Sequence, residues 1–235
     1  MELKHIGLLF LACSGLFSLT QFALSTIKWL WCTFFRLPKT LKEYGSWALI
    51  TGATDGIGKA LAFELASRGI NVVLVGRNPS KLEDVCNDIK RIHGDNVVLK
   101  SVVLDFAKSS GEEIAEAIKQ AVKGLDIGIL INNVGLAYPY AKFFHEVDTE
   151  MVENLLKVNI EAMTWVTSSV LPGMLEKKKG AIINIGSGSS ELSSYPLYTV
   201  YAACKAFVAM FSKCISLEYK QHGIDIQCQA RPLKF

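Results

Sequence analysis

Tyr195, Tyr198 and Tyr201 stand within seven residues of one another in the run Y-P-L-Y-T-V-Y-A-A-C-K-A-F, residues 195–207, and Lys205 follows them. Residues four apart share a helix face. Only Tyr201 has a lysine at that spacing; Tyr195 has Thr199 there and Tyr198 has Ala202. Pro196 also sets Tyr195 ahead of the helix proper. A tyrosine and a lysine one turn apart suit proton transfer. A phenol titrates near about pH 10, and a neighbouring ammonium favours its anion. Such a phenol can donate a proton to a carbonyl oxygen as hydride reaches the carbon, and be restored afterwards. A hydroxyl should steady the same oxygen. The run I-I-N-I-G-S-G-S-S offers Ser187, Ser189 and Ser190, with Ser187 directly after the strand end and its glycine.

A hydride needs a carrier, and T-G-A-T-D-G-I-G-K at residues 51–59 is a site for one. Gly52, Gly56 and Gly58 fall between a strand-like run and a helix-like run. Small residues there let the backbone approach a pyrophosphate, and the helix N-terminus offers N–H groups and a positive dipole end. The spacing is G-x-x-x-G-x-G rather than G-x-G-x-x-G. The next strand run ends V-L-V-G-R-N, residues 73–78, with Arg77 and Asn78 where an NAD enzyme usually carries an acid for the ribose 2′-hydroxyl. A permanent cation with a forked donor set suits a 2′-phosphate instead, so NADP(H) is expected. Lys205 can then also hold the nicotinamide ribose.

The elements that must position these groups are legible as alternation. Apolar, β-rich runs occur at 47–51, 71–75, 97–104, 127–131, 181–185 and 224–228. Helix-period stretches lie between them at about 57–68, 80–92, 111–123, 148–175 and 198–221. Short apolar strands alternating with helices predict parallel βαβ units, hence an α/β fold with a Rossmann-like, doubly wound parallel sheet. The chain has 235 residues, half of them hydrophobic and a fifth charged, which argues against disorder. A net charge of +3 without basic–aromatic interleaving gives no sign of nucleic-acid binding. Lys177, Lys178 and Lys179 read as a solvated loop before a strand. Cys13, Cys32, Cys86, Cys204, Cys214 and Cys228 show no metal spacing, so no metal is expected and all six are read as reduced thiols.

Ahead of the α/β pattern, Ile6 to Ile27 carry no charge. As a helix this run spans about 33 Å, close to the ~30 Å bilayer core. Trp29, Trp31, Phe34 and Phe35 follow as an interfacial belt, and Lys28, Arg36, Lys39 and Lys42 lie on the C-terminal side. The positive-inside bias then puts the C-terminal domain in the cytosol. The run is long for a cleaved signal peptide and ends on no small-x-small site; a hairpin or an interfacial lie stays open beside a full span. The expected domains are an anchor at 1–36, a linker at 37–45 and a cofactor-binding domain at 46–235.

T-G-x-x-x-G-I-G, N-N-V-G at residues 132–135 and Y-x-x-x-K, in this order on this pattern, resemble the short-chain dehydrogenase/reductase family over about residues 45–229. The resemblance implies NADP(H) held by Gly52, Thr54, Asp55, Gly56, Ile57, Gly58, Arg77, Asn78, Asp105, Asn132, Tyr201 and Lys205. Asp105 would meet the adenine. Val134 stands where the family usually has alanine. The family's serine-to-tyrosine separation falls between the 14 residues from Ser187 and the 12 from Ser189, so context decides for Ser187 as the substrate-binding hydroxyl. Asn159, in L-L-K-V-N-I-E-A-M, would hold a water in the proton relay; a polar residue satisfied inside a helix interface would look the same.

The apolar N-terminal run, L-K-E-Y-G-S-W-A-L-I-T-G, P-Y-A-K-F-F-H-E-V-D and S-Y-P-L-Y-T-V-Y-A-A-C-K together resemble the microsomal very-long-chain 3-oxoacyl-CoA reductases, plant-type members nearest. This implies NADPH-dependent reduction of a long-chain 3-oxoacyl-CoA to the 3-hydroxyacyl-CoA in fatty-acid elongation. It also implies the endoplasmic reticulum membrane, a cytosolic catalytic domain, and other elongation enzymes or a second copy of the chain as partners. Steroid 17-ketone reduction is a rival within the same chemistry; a non-catalytic, membrane-tethered scaffold or cofactor-binding subunit is a rival outside it. Tyr138, Pro139, Tyr140, Phe143 and Phe144 line an acyl site or form a packing cluster. The family continues past its sixth strand with a substrate-covering segment, a helix and a seventh strand. Here the chain reads Q-A-R-P-L-K-F, so a C-terminally shortened member with six strands and an exposed edge near 224–228 is expected.

Overall fold

The computed structural model describes residues 2–35 and 40–230. Arg36 and Lys39 of the expected basic flank, the start of the expected linker, and the last five residues of the Q-A-R-P-L-K-F tail lie outside them, as does the side chain of Cys32. The chain divides between Thr40 and Leu41 into two units. Leu41 and Tyr44, which fall within the expected linker, pack on the core of the second.

The first unit is the helix α1 (Glu2–Leu30), continued by a π turn at Trp31–Phe35. Its apolar side chains are exposed, and His5–Leu30 is long and apolar enough to cross a membrane. The hydroxyls of Ser14, Thr20 and Thr26 donate to carbonyls of α1 itself, at Phe10, Phe17 and Phe22. Polar groups satisfied within their own helix suit an apolar surrounding. Trp31 stacks on Phe35 and Trp29 meets Phe34 edge-on at the helix end.

The second unit is built on six parallel strands: β1 (Trp47–Thr51), β2 (Asn71–Gly76), β3 (Leu99–Val103), β4 (Ile127–Asn132), β5 (Gly180–Ile185) and β6 (Ile224–Gln229). Their order across the sheet is β3-β2-β1-β4-β5-β6, which places β6 at an edge. Strand side chains alternate between faces, and both faces are apolar. Leu49, Val73, Leu130, Ile182 and Ile226 face α4 (Gly111–Val122), α6 (Ala162–Glu176) and α7 (Thr199–Glu218). Ala48, Ile50, Val72, Leu74, Ile129 and Ile131 face α2 (Gly56–Ser67) and α3 (Pro79–His93). Chain progress reverses direction between β1 and β4, and the crevice outside their C-terminal ends is where open α/β sheets bind ligands.

Local signals set the helix starts. Asn78 accepts from Lys81 N with Pro79 at the first helical position of α3. Ser110 and Glu113 form a reciprocal capping box on α4. The single helix expected at 148–175 is instead α5 (Thr149–Leu156), a π turn at Lys157–Glu161, and α6. A five-residue π turn hardly alters an apolar period, so periodicity does not reveal it. The Lys177–Lys179 run is only partly a solvated loop: Lys177 is half-buried and pairs with Asp126 at 2.5 Å. That contact, with the Ser46 backbone, outweighs partial burial of Asp126 and holds its carboxyl below the ordinary range.

Candidate active site

The glycine turn joins β1 to α2, and its three glycines do different things. A Cβ on Gly58 would lie 2.2 Å from Gly52 O and 2.4 Å from the Asn133 side-chain nitrogen. A Cβ on Gly52, at φ +65°, would lie 2.9 Å from Val134 Cα. Both positions are therefore fixed by close packing. Gly56, at φ +51°, has nothing within 4 Å of such a Cβ, so its backbone faces open space. Asp55 accepts from Gly56 N at 2.8 Å and thereby caps α2. Ile57 and Gly58 follow in the first turn, where helix N–H groups lack intrahelical partners.

The turn is held from across the crevice. Thr51 Oγ1 accepts from Asn133 N and Val134 N at 3.0 and 3.1 Å. Asn133 Nδ2 donates to Thr51 O and Gly52 O, both at 3.0 Å. The second asparagine of N-N-V-G thus braces the first motif. Neither Thr51 nor Asn133 was singled out by the sequence; their signal was only their place inside the two quoted motifs.

Arg77 lies exposed just past the end of β2 and makes no ion pair among the described residues. Thr54 packs its methyl over Gly76, 3.0 Å from where a Cβ would stand, beside the same strand end. Asn78 has its side-chain oxygen committed to the α3 cap. Asp105 accepts from Ala107 N at 3.1 Å in the turn after β3. Asn132, expected among the cofactor-binding residues, has its side chain buried in the fold. Its Nδ2 donates to Thr167 Oγ1 and Asn184 Oδ1, at 2.9 and 2.8 Å. Asn184 Nδ2 in turn donates to Ser212 Oγ at 2.8 Å. This buried ladder ties α6, β4, β5 and α7 together, although Asn132 Oδ1 itself finds no hydrogen-bond partner among the described residues.

The residues expected to carry the chemistry are Tyr201 and Lys205 on α7, Ser187 just past β5 and Asn159 in the π turn. Tyr201 is half-buried in the first turn of α7, and Lys205 is buried one turn on. Lys205 Nζ lies 5.8 Å from the Tyr201 ring centroid and donates to Ile185 O, the last residue of β5, at 2.9 Å. Burial pushes the Lys205 ammonium below the ordinary lysine range, while the Cys228 and Cys204 thiols act weakly the other way. Those thiols, with Cys13, Cys86 and Cys214, are free. Ser187 is buried just past β5; its Oγ accepts from Ser189 N at 3.2 Å and lies 3.0 Å from Ser189 Oγ. With Ser189 donating, the Ser187 proton is left to point elsewhere. The two candidate serines thus lie together, with Ser189 orienting the Ser187 hydroxyl. Asn159 sits in the π turn, where its Nδ2 donates to Leu136 O and Leu155 O at 2.8 and 2.9 Å. Its Oδ1 accepts from Leu136 N at 3.2 Å. A Cβ on Gly135 would fall 3.2 Å from Asn159 Oδ1 and 3.5 Å from Lys205 Nζ, so this glycine keeps the space between them clear.

The other two tyrosines of the run join Tyr138 in an aromatic cluster. Tyr138 stacks on Tyr198 and Tyr195 is tilted 46° against Tyr198, each pair with centroids 5.6 Å apart. Tyr138 is buried, whereas Tyr140, Phe143 and Phe144 are exposed. The aromatic stretch after β4 is therefore divided between packing and an open surface.

Known proteins can now be set beside this geometry. Residues 46–232 match the model of the family described as short chain dehydrogenase. A very-long-chain 3-oxoacyl-CoA reductase-like protein of Arabidopsis thaliana is 49% identical over 91% of this chain and 68% of its own length. The rat very-long-chain 3-oxoacyl-CoA reductase is 45% identical over 78% of this chain and 57% of its own. The human inactive hydroxysteroid dehydrogenase-like protein 1 is also 45% identical, over 80% of this chain and 55% of its own. The chain thus spans from about half to two thirds of these relatives. Among solved structures, a short-chain dehydrogenase from Sphingobium yanoikuyae in complex with NADPH aligns with a TM-score of 0.72 at 31% identity, over 80% of this chain and 71% of that one. With its glycine turn, parallel six-stranded sheet and Tyr–Lys pair, the chain belongs to the short-chain dehydrogenase family.

Proposed function

We propose that the chain is an NADPH-dependent reductase of very-long-chain 3-oxoacyl-CoA, anchored in the endoplasmic reticulum membrane by α1 with the α/β domain in the cytosol. The observation that carries the reading is the buried Lys205 beside Tyr201, with Ser187 at the neighbouring strand end. The cofactor site fits NADP(H) on the chain's own terms. Gly56 presents open backbone at a helix N-terminus, and Arg77 stands unpaired where a 2′-phosphate would lie. NADPH, when bound, supplies the hydride.

The residues of the chain do the rest. The Tyr201 phenol gives its proton to the C3 carbonyl oxygen as that carbon gains hydride. The Lys205 ammonium favours the phenolate left behind. Ser187 donates its free proton to the same oxygen, in a site whose donors are already ordered before substrate arrives. Asn159 holds the Leu136 backbone, and Gly135 leaves the space between Asn159 and Lys205 free of a side chain, where a water can return the proton. α1 and the basic residues that follow it set the membrane placement.

The equal identity to an active-named and an inactive-named relative favours one second reading, a membrane-tethered member that binds cofactor without turnover. Product analysis separates the readings. The full chain, in detergent or nanodiscs, is given NADPH with a long-chain 3-oxoacyl-CoA or with a 17-ketosteroid. Formation of the 3-hydroxyacyl-CoA is expected. A 17-hydroxysteroid alone would move the substrate class, and tight NADPH binding with no product would establish the second reading.

A further inference from the structure

The two halves of the reacting pair are not held alike. Lys205 is fixed inside α7 by its bond to Ile185 O. Tyr201 is the third residue of the same helix, in the turn whose N–H groups have no intrahelical partners and which frays most readily. Tyr198, at the cap position, supplies no side-chain cap. The cap comes instead from 62 residues upstream: the Tyr138 hydroxyl accepts from Val200 N at 3.3 Å, one residue ahead of Tyr201.

Tyr138 is well placed for this. It lies in the irregular segment after β4 and is only 5% exposed. Its ring stacks on Tyr198 at an interplanar angle of 27°. Four residues on, Lys142 N donates to Leu197 O at 3.1 Å. Leu197 has φ +66°, a conformation uncommon for a residue with a side chain, so the turn into α7 is strained and must be held by its neighbours. Upstream, Leu136 is bonded through both its N–H and its carbonyl to Asn159. The loop after β4 is therefore fixed to the π turn at one end and to the start of α7 at the other.

We propose that Tyr138 is a positioning residue: its hydroxyl and ring hold the first turn of α7, and so keep the Tyr201 phenol in place beside Lys205. The inference rests on Tyr201 being the proton donor. Its consequence is specific. Losing the clamp should loosen Tyr201 while leaving Lys205, the glycine turn and cofactor binding as they are, and small misplacements of a reacting group are costly.

The test uses the full chain in nanodiscs with Tyr138→Phe, which keeps the ring and removes the hydroxyl. Hydrogen exchange in the 199–203 segment should quicken, kcat should fall about tenfold, and NADPH affinity should stay within about twofold of the parent. In a Tyr201→Phe background, Tyr138→Phe should lower the residual rate no further, as two residues acting through one group are non-additive. Unchanged exchange and kcat would overturn the proposal, and so would an undiminished tenfold loss on top of Tyr201→Phe. A parent chain without turnover would refute the proposed reductase, while exchange would still decide whether the clamp exists. If Tyr138→Phe does not fold, Tyr198→Leu removes the stack, leaves the hydroxyl bond, and should quicken the same exchange to a smaller degree; no change there would also overturn it.

Discussion

The proposed cofactor end and the proposed reacting end of this site sit side by side on one sheet but are built by different means. The cofactor end is made of backbone. Gly58 and Gly52 approach other main-chain atoms so closely that no side chain fits, and Thr51 and Asn133 lock the turn by bonding backbone groups. The proposed reacting end is made of side chains brought from three elements: Ser187 after β5, Asn159 in a π turn, and Tyr201 and Lys205 on α7, with Tyr138 bonded to that helix from the loop after β4. Errors in a backbone cradle are steric and tend to be all-or-none. Errors in a side-chain constellation are graded and act on rate before they act on fold.

That contrast can be broken at several points. The largest effect is expected at Gly58→Ala, where the added methyl meets Gly52 O and must displace backbone. A cost of about 3 kcal/mol is expected, seen as a lower unfolding temperature together with loss of NADPH binding. A well-folded Gly58→Ala that binds NADPH normally would remove the steric account of the turn.

Lys205→Met is expected to act on rate and stability in opposite directions. Turnover should fall at least about a hundredfold. Stability should rise near neutrality, because a buried ammonium is replaced by an apolar chain of similar length. The sign with pH follows from the lowered proton affinity of Lys205 in the folded chain. The unfolded chain binds more protons between that lowered value and the ordinary 10.5, so the parent gains stability as pH rises through this window. Denaturant unfolding at neutral and at alkaline pH should show the advantage of the variant shrinking as pH rises. An advantage that grew would contradict the burial of a charged lysine.

Arg77→Ala should weaken NADPH binding by about 10- to 100-fold, the loss of charge-assisted bonds to one phosphate, and leave NADH nearly unaffected. Equal loss for both cofactors would mean that Arg77 holds the fold rather than the 2′-phosphate. The smallest effect is expected at Gly56→Ala. Its methyl meets nothing, so only the left-handed φ is penalised, by about 1–2 kcal/mol. The chain should still fold, with weaker NADPH binding as the methyl enters the open cradle. If Gly56→Ala and Gly58→Ala behaved alike, the three glycines would not have separate roles.

Much of this was legible in the sequence because local chemistry and chain order agree. Strand runs, helix stretches and the glycine turn fall close to where alternation and small residues placed them, and i,i+4 spacing alone separated Tyr201 from Tyr195 and Tyr198. What escaped was non-local. The side-chain partners of Asn132, Thr167 and Asn184, come from α6 and β5 and are visible only once the sheet is assembled. The π turn around Asn159 hardly disturbs an apolar period. The capping of Val200 by Tyr138 joins residues 62 apart that no local pattern connects. The two long apolar helices make the same point: α1 and α7 both pass a length-and-hydropathy test, and only the burial of one face of α7 against the sheet tells them apart.

The central claim is that Tyr201, and no other tyrosine, is the proton donor of a working reductase. The most direct measurement is NADPH consumption with a long-chain 3-oxoacyl-CoA by the full chain and by Tyr201→Phe, with NADPH affinity measured for both. Equal affinity and a turnover lower by about two to four orders of magnitude in the variant is the predicted result. Equal rates from the two proteins, at background or above it, would contradict it.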